Sequence, residues 1–498
     1  MDSEMEALLW QCRSKLTGIT NFALVAAITS LAVGSLAGCG SSAPPPVGIG
    51  GASGSGSSQN VLPSLPSSGG TEVFNDPDLF NDPELGCNEP SCAPSQCPSG
   101  GTTSISGTVY APSGELPLYN VMVYVPSAPL APFSEGVTCA CEISGEPIAS
   151  AITDTEGRFV IPNVPAGTDV PLVIQVGKWR RQFTVDSVEE CGETAVPDQT
   201  LRLPARQAEG DIPRIALTTG NADAMECLIR KLGIDSSEIG NPGDPGRINY
   251  FYGREGTDKY ADGMNGGADF PSAENLWSSV ESLSQYDVVL LSCEGEREHD
   301  ENKPDAAFAA MHEYTNLGGR VFASHWHQLW LQRGPAPFPD IATFVDEDDI
   351  NEITANVETS FPKGAALADW LVNVGASKER GLIDLTGTQH TLVRENPTYA
   401  QRWISTNNPE TVQYVSANTP FGAPAEQQCG RVVLSDIHVT GSEKEGRDVS
   451  SDDLAFPDGC TTSDLSPQEK VLAYMLFDIS GCIVPDNLPP TPPTIILR

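Results

Sequence analysis

Between residues 214 and 476 short apolar runs alternate with segments of helical period, and this alternation restricts the fold more than any other feature. Residues 214–220, 248–252, 286–293 and 430–438 read as strands; 222–232, 273–283, 305–317 and 467–476 read as helices. Strands separated by helices are joined by right-handed crossovers and lie parallel in one sheet. The sharpest member of the series is Gly318-Gly319-Arg320-Val321-Phe322-Ala323-Ser324-His325-Trp326-His327-Gln328. Two glycines close a helix, mostly apolar residues form a short buried strand, and polar side chains then begin abruptly. In an open parallel sheet that switch marks the carboxyl end of a strand, where ligands bind. His325 and His327, two of the six histidines, stand there.

The alternation does not run the whole length. Residues 102–204 hold short β-rich runs at 104–110, 121–125, 158–161 and 170–176, bounded by turns such as Asp154-Thr155-Glu156-Gly157 and Pro165-Ala166-Gly167. This spacing predicts an antiparallel β-sandwich. Residues 331–428 interrupt the later rhythm with the acidic patch 346–349, a helix near 365–374 and β-like runs at 381–385, 401–405 and 411–415. They read as a large α+β insertion at the carboxyl edge of the sheet, covering the site. The fold class is therefore multidomain: an antiparallel β-sandwich, then a flavodoxin-like α/β domain with a parallel sheet over 211–484 and a large α+β insertion. A Pro-rich tail, 485–498, follows.

The amino end reads as a targeting segment. Arg13 and Lys15 precede an apolar run, 21–33, that is shorter than the ~20 residues a spanning helix requires. Leu36-Ala37-Gly38-Cys39 follows and resembles the lipobox of bacterial lipoproteins. The resemblance implies removal of signal peptide 1–38, acylation of Cys39 and a stable membrane anchor. Gly40, where some lipoprotein systems place an inner-membrane retention aspartate, points to the outer membrane. Residues 39–101 are a Ser/Gly/Pro-rich tether ending in an extension that bears Cys87, Cys92 and Cys97.

Export places the cysteines in an oxidising compartment. With Cys12 removed and Cys39 acylated, 11 of the 13 remain, an odd number that leaves at least one unpaired or paired between chains. Cys191 is expected to pair with Cys139 or Cys141, which are too close to pair with each other. Cys460 and Cys482 flank the last helix and are candidates to staple it. The net charge of −38 repels phosphate backbones, so nucleic acid is not an expected partner. Lys178-Trp179-Arg180-Arg181 is the one dense basic patch and reads as a strand-end turn.

Two further resemblances bear on function. ISGTVYAPSGELPLYNVMVYV followed by TDTEGRFVIPNVPAG resembles the carboxypeptidase regulatory-like domain, a prealbumin-like sandwich that serves as a spacer or binding support. The order YDVVLLSCEG, helix, LGGRVFASHWHQ, insertion, GRVVLSDIHV, helix resembles class I glutamine amidotransferase-like domains, most closely the branch typified by trehalose-utilisation proteins. That resemblance puts Ser324 at the nucleophile position and His438 at the base position. Phe322 and Trp326 stand where the family has its elbow glycines, and Thr440 where it has the orienting Glu. A nucleophile elbow needs those glycines for its strained backbone and close helix approach, so these departures argue against a working glutaminase triad.

Three readings of the centre follow. His325, His327 and His438, with Asp436, can converge on a metal; three imidazoles and an open position suit zinc. The same residues can line a non-catalytic ligand pocket, or serve as packed structural histidines beside Trp326, Leu329 and Trp330. Residues 294–300 form a polar loop at the same edge. Thr218-Thr219-Gly220-Asn221 precedes a helix without a dinucleotide fingerprint, so no nucleotide cofactor is expected. The functional expectation is a lipid-anchored envelope protein that displays or binds a glycan, peptide or protein partner. The alternative is a metal-assisted or Ser/His hydrolase acting on envelope or extracellular polymer.

Overall fold

The computed structural model describes Cys97 and residues 100–296, 302–439 and 447–492, without the side chains of 347–349 and 351. The signal segment, Cys39, the tether, Cys87, Cys92, His299, Thr440 and the end of the tail lie outside the described residues.

Residues 104–202 form two four-stranded sheets. β1 (Ser104–Tyr110), β4 (Arg158–Pro162), β7 (Glu193–Ala195) and β8 (Leu201–Arg202) make one; β2 (Met122–Pro126), β3 (Pro147–Ile152), β5 (Gly167–Val176) and β6 (Trp179–Val188) make the other. Side chains on a strand alternate between faces. Ile105 and Val109 of β1, Val123 and Val125 of β2, Phe159 and Ile161 of β4, and Leu172 and Ile174 of β5 all join one buried cluster, while Arg158 and Val160 face outward. The second sheet is antiparallel throughout, as the turn spacing predicts, but β1 pairs parallel with both β7 and β8. Of the basic patch, Lys178 lies in the turn after β5, as expected, whereas Trp179, Arg180 and Arg181 begin β6.

The other strands build one ten-stranded sheet in the order β10-β11-β9-β12-β13-β18-β17-β16-β14-β15. β9 (Ile215–Thr218), β10 (Ile239–Gly240), β11 (Ile248–Phe251), β12 (Val288–Leu291), β13 (Arg320–Ser324) and β18 (Gly430–Ser435) run parallel to one another. Their residues are buried almost throughout, as expected of strands covered on both faces. Helices α1 (Met225–Lys231), α2 (Asp305–Asn316) and α4 (Pro467–Ser480) lie between or after them. The Ser466 hydroxyl and the Glu469 carboxylate cap α4 reciprocally. The segment expected as one helix at 273–283 is two short ones, because Ser279 turns extended and caps the second.

The insertion extends the sheet instead of forming a separate lid. β14 (Ala342–Val357), β15 (Leu382–Glu395), β16 (Gln401–Asn407) and β17 (Glu410–Thr419) add antiparallel strands beyond β18, with helix α3 (Pro362–Asn373) between β14 and β15. The acidic patch 346–349 lies within β14, whose pairing to β15 shifts register there. The middle of β15 nonetheless reaches the end of β18, where Gln389 N donates to Asp436 O at 2.9 Å.

The sandwich docks against the α/β part and is not a free spacer. Trp179 packs edge-on against Phe477 of α4, Tyr119 stacks on Tyr474, and the Trp370 indole of α3 donates to Pro117 O at 2.9 Å. The basic patch adds ion pairs: Lys178 meets Asp287 across this seam at 2.7 Å, while Arg180 meets Asp211 at 2.8 Å and Arg181 meets Glu209 of the connecting segment at 3.2 Å.

Four disulfides close the described residues, with pairings other than those expected. Cys191 bonds Cys97, because parallel pairing of β1 and β7 brings the segments before them together. Cys139 bonds Cys429 and Cys141 bonds Cys482, so the long loop of the sandwich is stapled to the α/β part. Cys460 bonds Cys227 of α1; the two cysteines flanking α4 thus tie that helix to different neighbours and not to each other. Cys293 is the one free thiol among the described residues.

Candidate functional site

The parallel register sets the tips of three strands level. Leu291 of β12 lies beside Ala323 of β13, which lies beside Leu434 of β18. Each strand then ends within a few residues, and Cys293, His325 and His438 emerge at the same carboxyl edge. Their donor atoms all lie within 4.8 Å of one another, and all three side chains are buried. Cys293 Sγ is 3.3 Å from His325 Nδ1, and the His325 and His438 rings are 5.2 Å apart between centroids.

His325 is steered into the cluster by its backbone. It opens the 3₁₀ turn His325–Gln328 with φ +42°, a left-handed conformation uncommon outside glycine. The strained residue of this strand-to-turn elbow is therefore His325, whereas Ser324, the expected nucleophile position, keeps extended angles of φ −98° and ψ 129°. On the facing side, Gly220 is required: a Cβ there would meet Cys293 O at 2.3 Å. That glycine lets the loop after β9 close over the end of β12.

The Ser324 hydroxyl donates to Asp223 Oδ2 at 2.6 Å, and the Val439 amide donates to Asp223 Oδ1 at 2.8 Å. Burial pushes the Asp223 carboxyl up, while the nearby His438 opposes the shift. Burial pushes the Cys293 thiol up to about 12, so the thiol is protonated at neutral pH. Burial, and then the neighbouring His438 and His327, pushes His325 well below its ordinary range, leaving a neutral imidazole.

The other expected site residues stand apart. His327 Nε2 donates to Ser292 O at 2.9 Å and its Nδ1 accepts from the Trp330 indole at 3.1 Å, so both ring nitrogens are spent on packing. Burial takes His327 down to about 4. Asp436 turns toward the insertion, accepting from Thr391 Oγ1 at 2.6 Å and Thr391 N at 2.7 Å, and burial raises it to about 6. The three-imidazole set with Asp436 is thus corrected to two imidazoles and a thiol. Glu294, in the polar loop, forms a buried 2.6 Å ion pair with Lys303. Burial pushes its carboxyl up, but His327 and the Lys303 ammonium outweigh burial and hold it below the ordinary range.

Sequence reasoning missed Cys293 as a donor and Asp223 altogether. The signal for Cys293 was its place at the end of an apolar run aligned with the next strand tip. Asp223 carried none, since it lies in a loop five residues past its strand. Chemically, the cluster offers one sulfur and two imidazole nitrogens, a donor set suited to a borderline-soft divalent cation. It does not offer an activated serine or thiolate.

No family model and no curated protein matches the chain. Among solved structures it is similar to a ThuA-like protein from Bacteroides uniformis, at 10% identity and a TM-score of 0.27, over 53% of this chain and 91% of that one. It is also similar to a cohesin–X-dockerin complex from Acetivibrio cellulolyticus, at 18% identity and a TM-score of 0.16, over 27% of this chain and 85% of that one. A third likeness, to an exo-β-1,4-mannosidase from an Opitutaceae bacterium, has 9% identity and a TM-score of 0.22, over 46% of this chain and 31% of that one. Likenesses this distant establish neither family nor activity.

Proposed function

We propose that the protein is an exported, lipid-anchored recognition protein of the bacterial cell envelope, acylated at Cys39 and seating a glycan, peptide or protein partner at the carboxyl edge of its parallel strands. Four disulfides, two of them joining the sandwich to the α/β part, support export, since such bonds persist in oxidising compartments. The order β11-β9-β12-β13-β18, which is 2-1-3-4-5 along the chain when the two-residue β10 is left out, supports a flavodoxin-like arrangement. The sandwich is then a regulatory-like module acting as a binding support.

One observation carries the choice of recognition over amidotransferase chemistry. The hydroxyl at the nucleophile position is committed to buried Asp223, and the neighbouring thiol is buried and protonated. A reactive nucleophile needs an adjacent base or a lowered pKa, and an approach for its substrate. The test uses the full chain in detergent, assayed for glutamine hydrolysis and, by thermal shift, against panels of envelope glycans and peptides. The expected result is background hydrolysis and a ligand that raises the melting temperature of wild type but not of His325→Ala. Glutamine hydrolysis abolished by Ser324→Ala would overturn the reading. Metal-assisted hydrolysis is favoured by a separate observation, the thiol and two imidazoles at one point.

A further inference from the structure

We propose that Cys293, His325 and His438 together hold one divalent transition-metal ion of the zinc class. This rests on the same strand tips forming the functional site, and adds the cofactor that occupies them.

The donor spacing suits such an ion. Tetrahedral zinc takes sulfur at about 2.3 Å and imidazole nitrogen at about 2.0–2.1 Å, which separates S from N by about 3.6 Å and N from N by about 3.3–3.4 Å. Cys293 Sγ and His325 Nδ1 are already 3.3 Å apart, and all three donors fit within 4.8 Å. The ligands follow the ends of three parallel, laterally paired strands by one to three residues, so the sheet sets where they emerge.

Ring orientation agrees with this: His325 turns its Nδ1 toward the Cys293 thiol. His327, two residues on, shows what packing alone produces: both of its nitrogens are bonded. The backbone strain at His325 has the same direction, since φ +42° is kept at the residue that turns toward the thiol.

One thiolate and two imidazoles make a borderline-soft set that selects zinc and its first-row neighbours over calcium or magnesium. Binding releases the thiol proton. Three protein ligands leave a fourth position for water or for a donor atom of a bound partner, as in catalytic zinc sites and unlike four-ligand structural ones. Asp223 is a positioning residue here: it fixes the Val439 amide beside His438 and the Ser324 hydroxyl before His325.

The test is metal analysis of the full chain in detergent, dialysed against zinc and then against metal-free buffer. Wild type is expected to retain about one equivalent, and Cys293→Ala and His438→Ala less than about a tenth of that. In case a variant does not fold, cobalt-loaded wild type supplies a second readout, a near-ultraviolet thiolate-to-cobalt charge-transfer band. Wild type without retained metal, metal retention indifferent to both substitutions, or a cobalt spectrum lacking that band would each overturn the proposal. Ligand thermal shifts run on metal-free protein separate this outcome from failure of the recognition reading. A ligand bound without metal leaves recognition standing and removes the ion; metal without any ligand does the reverse.

Discussion

Asp223 accepts the Ser324 hydroxyl at 2.6 Å and thereby ties the loop after β9 to the tip of β13. Its other oxygen takes the amide of Val439, just past His438, so one buried carboxyl fixes three strand ends. Asp223→Ala should therefore lower stability by roughly 3–5 kcal/mol, because it leaves an amide and a hydroxyl buried without partners. Ser324→Ala should cost less, on the order of 1–3 kcal/mol, since only one bond to the carboxylate is lost. Denaturant titration of both variants measures the difference; equal costs would contradict the tie to β18.

A second buried network holds the insertion. Arg431 of β18 is wholly buried and meets Asp486 at 2.9 Å and Asp478 at 3.2 Å, while Lys363 of α3 meets Asp478 at 3.0 Å and Asp486 at 3.2 Å. The two cations and two anions compensate each other. Removing one partner strands a buried charge, so Asp486→Ala should destabilise by about 3–5 kcal/mol. Arg431→Met with Lys363→Met and both carboxylates neutralised should restore much of the loss. Chemical denaturation of the single and combined variants checks this.

The seam between sandwich and α/β part is covalent as well as packed. Cys139–Cys429 and Cys141–Cys482 close loops of 290 and 341 residues. Replacing either pair by serines should cost roughly 2–5 kcal/mol. Limited proteolysis of the oxidised full chain should show the 128–147 loop protected, and cut first once either pair is replaced.

Stability should also depend on pH through Glu226. Burial is the largest cause raising its carboxyl to about 8 from an ordinary 4.5, partly opposed by Ser450. Because the folded value is the higher one, the contribution is fully present below pH 4.5 and is lost as pH rises toward 8. The slope in that window is at most about 1.4 kcal/mol per pH unit. Glu226→Gln should remove this fall and leave the variant a few kcal/mol more stable than wild type at about pH 8. Thermal unfolding from pH 5 to 8 measures it; a parallel pH profile in the variant would contradict the assignment.

The parallel core was legible because each strand there is a continuous apolar run closed by polar residues, as at Ala323–Ser324, and each helix carries its own stop, as at Gly233 and Gly318. β14 was not, since the acidic run 346–349 masks a strand that depends on β15 for its pairing. β6 was hidden by the charges of Lys178, Arg180 and Arg181, whose carboxylate partners are distant in sequence or lie beyond the sandwich. At the site, the positions of His325 and His438 followed from strand ends alone. Which neighbour each ring faces did not: the left-handed turn at His325 sends that ring to Cys293 and leaves His327 to Trp330. Disulfide pairing was illegible for the same reason, being set by how the sandwich docks and not by spacing.

X-ray absorption at the zinc edge of the metal-loaded full chain tests the convergence of the three strand tips most directly. The predicted first shell has one sulfur at about 2.3 Å and two imidazole nitrogens at about 2.0–2.1 Å, with the sulfur lost in Cys293→Ser. A shell of oxygen and nitrogen alone in wild type, or a sulfur that survives that substitution, would contradict the account.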